Sequence, residues 1–341
     1  MINQPTPPKG GLGGPDYVVP MVFPQDREWR RNFAKLGMTF SEHDVDFVRY
    51  RSWGLEPLLI QCIRTFMPLV RNIYVLLAQE SQAECFLGAL RDNDIPLCRN
   101  NDKEMAPVKL VLHSDFIPSR YLPTFNSRAI EMFLHRIPGL SDYFIYGNDD
   151  MIPLSPLKQE DFFRAAQRNN DITSSRYNDK EWPLLPCQHM NERPLPADLN
   201  NFQQACLAGL NFVAAEFGQH FDHTLLRSGH TLAPICRSSC LHLWERGADE
   251  IRASISPVRL AYNFNQYIYA WYQHFTGQYI DHQPPHSLVG VKAGLQRTLD
   301  AIADPNCGVL CINDHESCSN YVTFAAAVRR AIERKLLDYK L

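Results

Sequence analysis

Four apolar residues, Tyr143-Phe144-Ile145-Tyr146, run straight into Gly147-Asn148-Asp149-Asp150. This is the pattern of a buried strand that delivers acids at its carboxyl end, where open parallel sheets bind ligands. Carboxylate oxygen suits a hard divalent cation, which substrate phosphates and water commonly complete. Adjacent carboxylates point in different directions. One of Asp149 and Asp150 is therefore expected on the metal, and the other to act through water or on the substrate. A solvated turn is the competing reading, because Asn and Asp favour turns in any case.

Phosphate chemistry also needs cations where charge develops. Arg49-Tyr50-Arg51 precedes a helix expected from near Leu55, so its arginines can reach a cleft mouth and grip phosphate through paired donors. Two solvated surface arginines would fit the same spacing. His230, within Ser228-Gly229-His230-Thr231-Leu232-Ala233-Pro234, is an imidazole suited to deprotonating a hydroxyl. It is one of 12 histidines, and His113 and His135 are ambiguous in the same way. Cys307, Cys311, His315 and Cys318 crowd into one segment, closer than the usual pairwise spacing of a structural zinc site. Buried small hydrophobes are the expectation there.

Several chemistries lose their support. The chain has no Walker phosphate loop, Gly-x-Gly-x-x-Gly fingerprint, Cys-x-x-Cys pair, His-Glu-x-x-His motif or nucleophile elbow. The glycines of Gly11-Leu12-Gly13-Gly14 precede the first strand instead of following it, which makes a poor nucleotide loop. A net charge of -3 over 341 residues gives no footprint for a nucleic-acid polymer.

The elements that must position these groups are legible from apolar periodicity. Strands are expected at Tyr17–Phe23, Asn72–Leu77, Val108–Leu112, Tyr143–Tyr146 and Gly308–Ile312. Helices are expected at Asp26–Leu36, Leu55–Met67, Ser127–His135, Asn200–Phe217, Ala233–Gly247, Asn263–Phe275 and Phe324–Tyr339. The strand-helix-strand rhythm predicts an α/β fold. Residues 1–15 read as a flexible entry, 16–154 with 301–341 as the core, and 155–300 as a mostly helical insertion. Within the insertion, the Pro- and Asn-rich stretch from Pro153 to Pro196 reads as an excursion over the site or a lid. Apolar residues at 45% and charged residues at 21% fit a globular chain. Ten scattered cysteines, no secretion-signal pattern and no long apolar run point to a reducing cytoplasm.

A long ordered stretch then resembles the Stealth proteins, bacterial capsular-polysaccharide phosphotransferases related to N-acetylglucosamine-1-phosphotransferase. It comprises His113-Ser114-Asp115-Phe116-Ile117-Pro118, Tyr121-Leu122-Pro123-Thr124-Phe125-Asn126-Ser127 and Ile130-Glu131. It continues through Leu134-His135-Arg136-Ile137-Pro138-Gly139-Leu140-Ser141 and Tyr146-Gly147-Asn148-Asp149-Asp150-Met151. Thinner resemblance extends from about Asp16 to Asp314.

The resemblance implies a Rossmann-like, glycosyltransferase-A-like core with a mostly parallel sheet. It implies transfer of a sugar-1-phosphate from a nucleotide-activated sugar to a glycan hydroxyl, dependent on Mg2+ or Mn2+ at Asp149 and Asp150. His230 falls at the family's functional histidine as general base, and Arg259 would neutralise the transferring phosphate. Arg49, Arg51, Asn126, Asn148, Asn313 and Asp314 are implied in substrate binding. A metal-dependent glycosyltransferase and a non-catalytic glycan- or nucleotide-binding relative are the alternatives. Peripheral contact with membrane-bound assembly machinery, through the final basic helix, is a further hypothesis.

Departures from the family pattern occur at Met21, Phe23 and Pro24 in the first motif, at Ser52 after the arginines and at Asn263. A donor pocket remodelled for a different sugar is the expected consequence, with reduced activity as the alternative.

Overall fold

In the computed structural model, residues 14–37, 48–97, 105–165, 184–315, 318 and 320–340 are described. Most of the expected entry segment, Cys98 and much of the expected lid lie outside these residues. The main sheet has five strands. Four run parallel in the spatial order Tyr143–Tyr146, Asp16–Pro20, Ile73–Leu77, Val108–Leu112. Ile73–Leu77 is buried along its whole length, as an interior parallel strand should be. Val108–Leu112, at the edge, shows mixed burial.

The chain leaves Asp16–Pro20 in one direction to build two strands, then returns to lay Tyr143–Tyr146 on its other flank. That reversal makes a switch point at the carboxyl ends of these two strands, where a crevice must open. The fifth strand, Ala233–Cys236, runs antiparallel beside Tyr143–Tyr146, pairing Ala233 with Tyr146. Sequence periodicity predicts a single helix over Ala233–Gly247. The structure instead has this strand, followed by a helix at Arg237–Ala253. Pro234 is compatible with both, since its missing N–H costs nothing in a helix's first turn or at a sheet edge, so local sequence does not separate the two.

A second sheet orders His286–Gly290, Val309–Asn313 and Met151–Pro153, the last pair antiparallel. The acidic turn therefore links the end of one sheet to the start of the other. Two further small sheets join Phe163–Ala165, Leu184–Gln188 and Ile280–Asp281, and Met190–Pro194 with Thr224–Ser228. The fold is thus mixed α/β, with parallel and antiparallel pairing around a Rossmann-like core.

The helix Glu56–Phe66 separates two cores. Leu59, Ile60 and Ile63 face the main sheet, while Leu58, Cys62 and Phe66 meet Ile152, Leu154, Leu310 and Ile312 of the second. The final helix, Tyr321–Lys340, buries Val328, Ile332 and Leu336 in that second core at four-residue spacing. Of its basic residues, Arg329 bonds Asn93 and Glu333, and Lys335 bonds the carbonyls of Ile302 and Asp304. Arg330 and Arg334 are exposed. No described helix is long and apolar enough to cross a membrane.

The smaller differences are local. Glu80–Arg91 is a helix that periodicity does not flag, and the segment after Asn126 is only a short helix, Ser127–Glu131, followed by a 3-10 turn at Leu134–Arg136. No disulfide joins the described cysteines.

Candidate active site

At the switch point lies a cleft of about 650 Å³. Arg49, Arg51, Asn148, Asp149, Asp150, His230, Arg259, Asn313 and Asp314 all line it. These residues come from five separate parts of the chain, and the fold gathers them in simple ways. Asn148–Asp150 leave the end of a parallel strand. His230 precedes the antiparallel strand, which enters the sheet from that same edge. Asn313 and Asp314 close the central strand of the second sheet, whose Ile312 N–H donates to the Asp150 carbonyl (3.0 Å).

Gly147 is required where the turn begins. A Cβ there would stand 2.3 Å from the Tyr17 hydroxyl and 2.7 Å from a Leu232 methyl. Its N–H donates to the Val18 carbonyl (3.0 Å), so the turn stays attached to the neighbouring strand.

The arginines are held by aromatic and carboxylate contacts. Tyr50, between them, packs edge-on against Trp29 and Phe33 and donates its hydroxyl to the Phe125 carbonyl (2.7 Å). Arg51 forks onto Asp314 at 2.8 and 2.5 Å, with its guanidinium over the Tyr321 ring. Trp53 donates to the same carboxylate (2.9 Å). Arg259 donates to the Ser127 hydroxyl (2.7 Å), and its buried Nε has no partner among the described residues.

Asn126 is the one expected substrate-binding residue that does not line the cleft. Its side chain is wholly buried and caps the helix Ser127–Glu131 by accepting the Arg128 N–H (3.1 Å). Its amide donates to the carbonyls of Ser256 and Val258 and to the Asn263 side chain. Asn263, the other asparagine singled out in the sequence, donates to the Ser254 carbonyl (2.6 Å) and accepts from Leu260 (2.6 Å). The pair ties down the loop that carries Arg259. Phe23 is also displaced from its expected place. Its ring lies in the core against Phe86, while Met21 and Val22 line the cleft.

Electrostatically the cleft has two poles. Burial, then repulsion from Asp150 and Glu56, pushes the Asp149 carboxyl up to about 8. Burial also raises Asp150, with His230 and a hydrogen bond from the Cys311 thiol opposing. Burial lowers His230, which keeps the imidazole neutral and able to accept a proton. Its Nδ1 lies 3.3 Å from the Tyr267 hydroxyl.

Four charged residues of the wall carry no role in the sequence reading. Glu56 is buried, accepts the Ser52 hydroxyl (2.6 Å) and is raised by that burial. Glu131 is held by the Gln266 N–H (2.8 Å) and the Tyr146 hydroxyl (3.1 Å). Arg128 is buried beside Arg259 and Arg49, and burial lowers its pKa first, those charges next. Arg227 stands at the rim.

Asp150, His230 and Cys311 offer ligand atoms within 4.8 Å of one another, the one such group among the described residues. It is a different grouping from the expected Asp149–Asp150 pair and from the cysteine-rich segment. Burial, and then Asp150, holds the Cys311 thiol well above its ordinary range, so it serves as a donor to that carboxylate. One oxygen of Asp150 is buried without a partner among the described residues. That orphaned oxygen, with the Asp149 carboxyl close enough to be repelled by Asp150, suits a hard divalent cation.

Similarity to known proteins covers the stretch that carries the arginines and the acidic turn. The profile of Stealth protein CR2, conserved region 2, matches residues 49–171. A capsular polysaccharide phosphotransferase of Haemophilus influenzae is 34% identical over 71% of this chain and 59% of its own length. A counterpart from Neisseria meningitidis is 29% identical over 70% of this chain and 58% of its own length. The chain thus spans less than two thirds of either relative. A receptor polysaccharide phosphotransferase of Streptococcus gordonii is 25% identical over 95% of this chain and 97% of its own length.

Proposed function

We propose that this chain, which is similar to Stealth protein conserved region 2 and to capsular polysaccharide phosphotransferases, transfers a sugar-1-phosphate to a glycan hydroxyl in cell-surface polysaccharide synthesis. The observation that carries the reading is the meeting of Asp149, Asp150, His230, Arg49 and Arg259 in one cleft. Residues 16–154 and 301–341 act in this proposal as a glycosyltransferase-A-like catalytic core, which residues 155–300 complete.

The donor is a nucleotide-activated sugar. The acceptor hydroxyl attacks the sugar-linked phosphorus, forming an O–P bond as the bond to the bridging oxygen breaks. Nucleoside monophosphate leaves with that oxygen. His230 takes the hydroxyl proton on the ring nitrogen not facing Tyr267, which its neutral state allows. Arg259 and Arg49 meet the charge on the transferring phosphoryl group, and Arg51, Asn148, Asn313 and Asp314 hold the donor. Asp149 and Asp150 would hold Mg2+ or Mn2+, which when bound neutralises diphosphate charge. Peripheral association with membrane-bound assembly machinery belongs to the same proposal, supported by the exposed Arg330 and Arg334.

Purified protein given candidate nucleotide sugars, a glycan primer and Mg2+ or Mn2+ is expected to release nucleoside monophosphate. Asp150→Asn should cut that release by about a hundredfold or more while the far-ultraviolet spectrum stays unchanged. Nucleoside diphosphate as the product would identify glycosyl transfer instead, and undiminished release from the variant would remove the acidic turn from the reaction.

A further inference from the structure

Phe202 stands at the rim of the cleft, one residue into the helix Asn201–Ala215. Asn200 caps that helix by accepting the N–H groups of Phe202 and Gln203 (both 3.0 Å), which fixes where the ring begins. The ring is half-buried and carries a guanidinium on each of two approaches, Arg128 and Arg227, both 5.9 Å from its centroid. The Tyr267 ring meets it at 6.5 Å.

The two arginines differ in what they can still do. Arg128 is buried and already donates to the Leu260 carbonyl (2.9 Å). Arg227 is exposed on the strand Thr224–Ser228, lines the cleft, and has no carboxylate partner among the described residues. Its neighbours Arg128 and His230 add no negative charge. An exposed guanidinium beside a half-buried aromatic face is a complementary surface for a sugar ring that bears an anion. The ring takes the C–H face of the sugar, and the guanidinium forks onto paired oxygens.

Position decides which substrate this is. Arg227 lies three residues before His230 on the same strand exit and acts on it electrostatically. In the proposed reaction the base faces the acceptor hydroxyl, so groups on this side face the acceptor. That reaction also leaves a phosphodiester behind every sugar it adds. An elongating chain therefore carries a phosphodiester close to the hydroxyl that reacts next.

We propose that Phe202 and Arg227 form an acceptor subsite for a glycan whose charge is a phosphodiester. The inference rests on the transferase reading, but binding tests it without turnover. Three probes are compared by titration calorimetry at low salt with the whole protein and no donor: a phosphodiester-linked disaccharide, a neutral disaccharide and one containing a uronic acid. The phosphodiester probe should bind about tenfold more tightly than the neutral one, the size of one charge-assisted contact. Arg227→Gln should erase that preference, and Phe202→Leu should weaken all three probes alike. Equal binding of charged and neutral probes, no binding of any, or a preference that survives Arg227→Gln overturns the subsite. Stronger binding of the uronic acid overturns its phosphodiester assignment. Whether nucleoside monophosphate is released from a nucleotide sugar judges the transferase reading separately.

Discussion

Two asparagines hold an arginine in place without touching the cleft. The Asn126 amide reaches three acceptors, one of them Asn263, and both side chains are buried. Asn126→Ala should therefore lower stability by about 3 kcal/mol in urea unfolding, because buried carbonyls lose their donor and a helix loses its cap. His113 predicts a pH dependence. Burial holds its imidazole down at about 4, against an ordinary value near 6.5. Between those values the unfolded chain binds a proton that the folded chain does not. Stability should be full above about pH 6.5 and fall towards pH 4 by up to about 1.4 kcal/mol per unit. His135, also lowered to about 4, adds to the slope. Urea midpoints at about pH 7 and pH 5 measure it, and His113→Gln should flatten it. Asp149 could be picked out from the apolar run before it, whereas His230, one of 12 histidines, stood out only through the family resemblance. Glu56 could not: an acid in the first turn of a helix is ordinary dipole chemistry, and only the fold brings it to Asp149. Arg227 lies on a short strand that periodicity does not reveal.

Strands and turns set the tolerances of the site. Gly147→Ala would drive a methyl group into Tyr17 and Leu232, with destabilisation of about 1–3 kcal/mol expected from overpacking. Tyr17→Phe in the same chain should recover part of that loss, since it removes the nearest atom and leaves ring carbon at 3.0 Å. Thermal unfolding of the two single variants and the double variant reads the coupling. At this scale the interior strands were legible because burial on both faces leaves them wholly apolar. The antiparallel strand was not. Ala233–Cys236 is only four residues long and continues directly into the amphipathic helix Arg237–Ala253, so its alternation is too short to register. Phe23 misleads for a related reason. It lies beyond Pro20, where the strand has ended and its two-residue alternation no longer assigns faces.

Across the whole molecule, the arginine motif and the last strand meet through Arg51 and Asp314, whose side chains are 6% and 15% exposed. Asp314→Ala should cost about 3 kcal/mol in thermal unfolding, because it strands a largely buried guanidinium. Replacing both partners, Arg51→Met with Asp314→Leu, should recover much of that loss. No local pattern links residues 263 positions apart, which is why the sequence yielded both partners but not their pairing. The acidic turn shares this dependence, since its Asp150 carbonyl bonds Ile312 and its carboxylate lies beside Cys311. This has a consequence for biosynthesis. The main sheet is encoded before residue 237, so its strands can pair while later codons are still being read. The cleft wall is not finished until Asp314 has cleared the ribosome, and a nascent chain stays chemically incomplete until then.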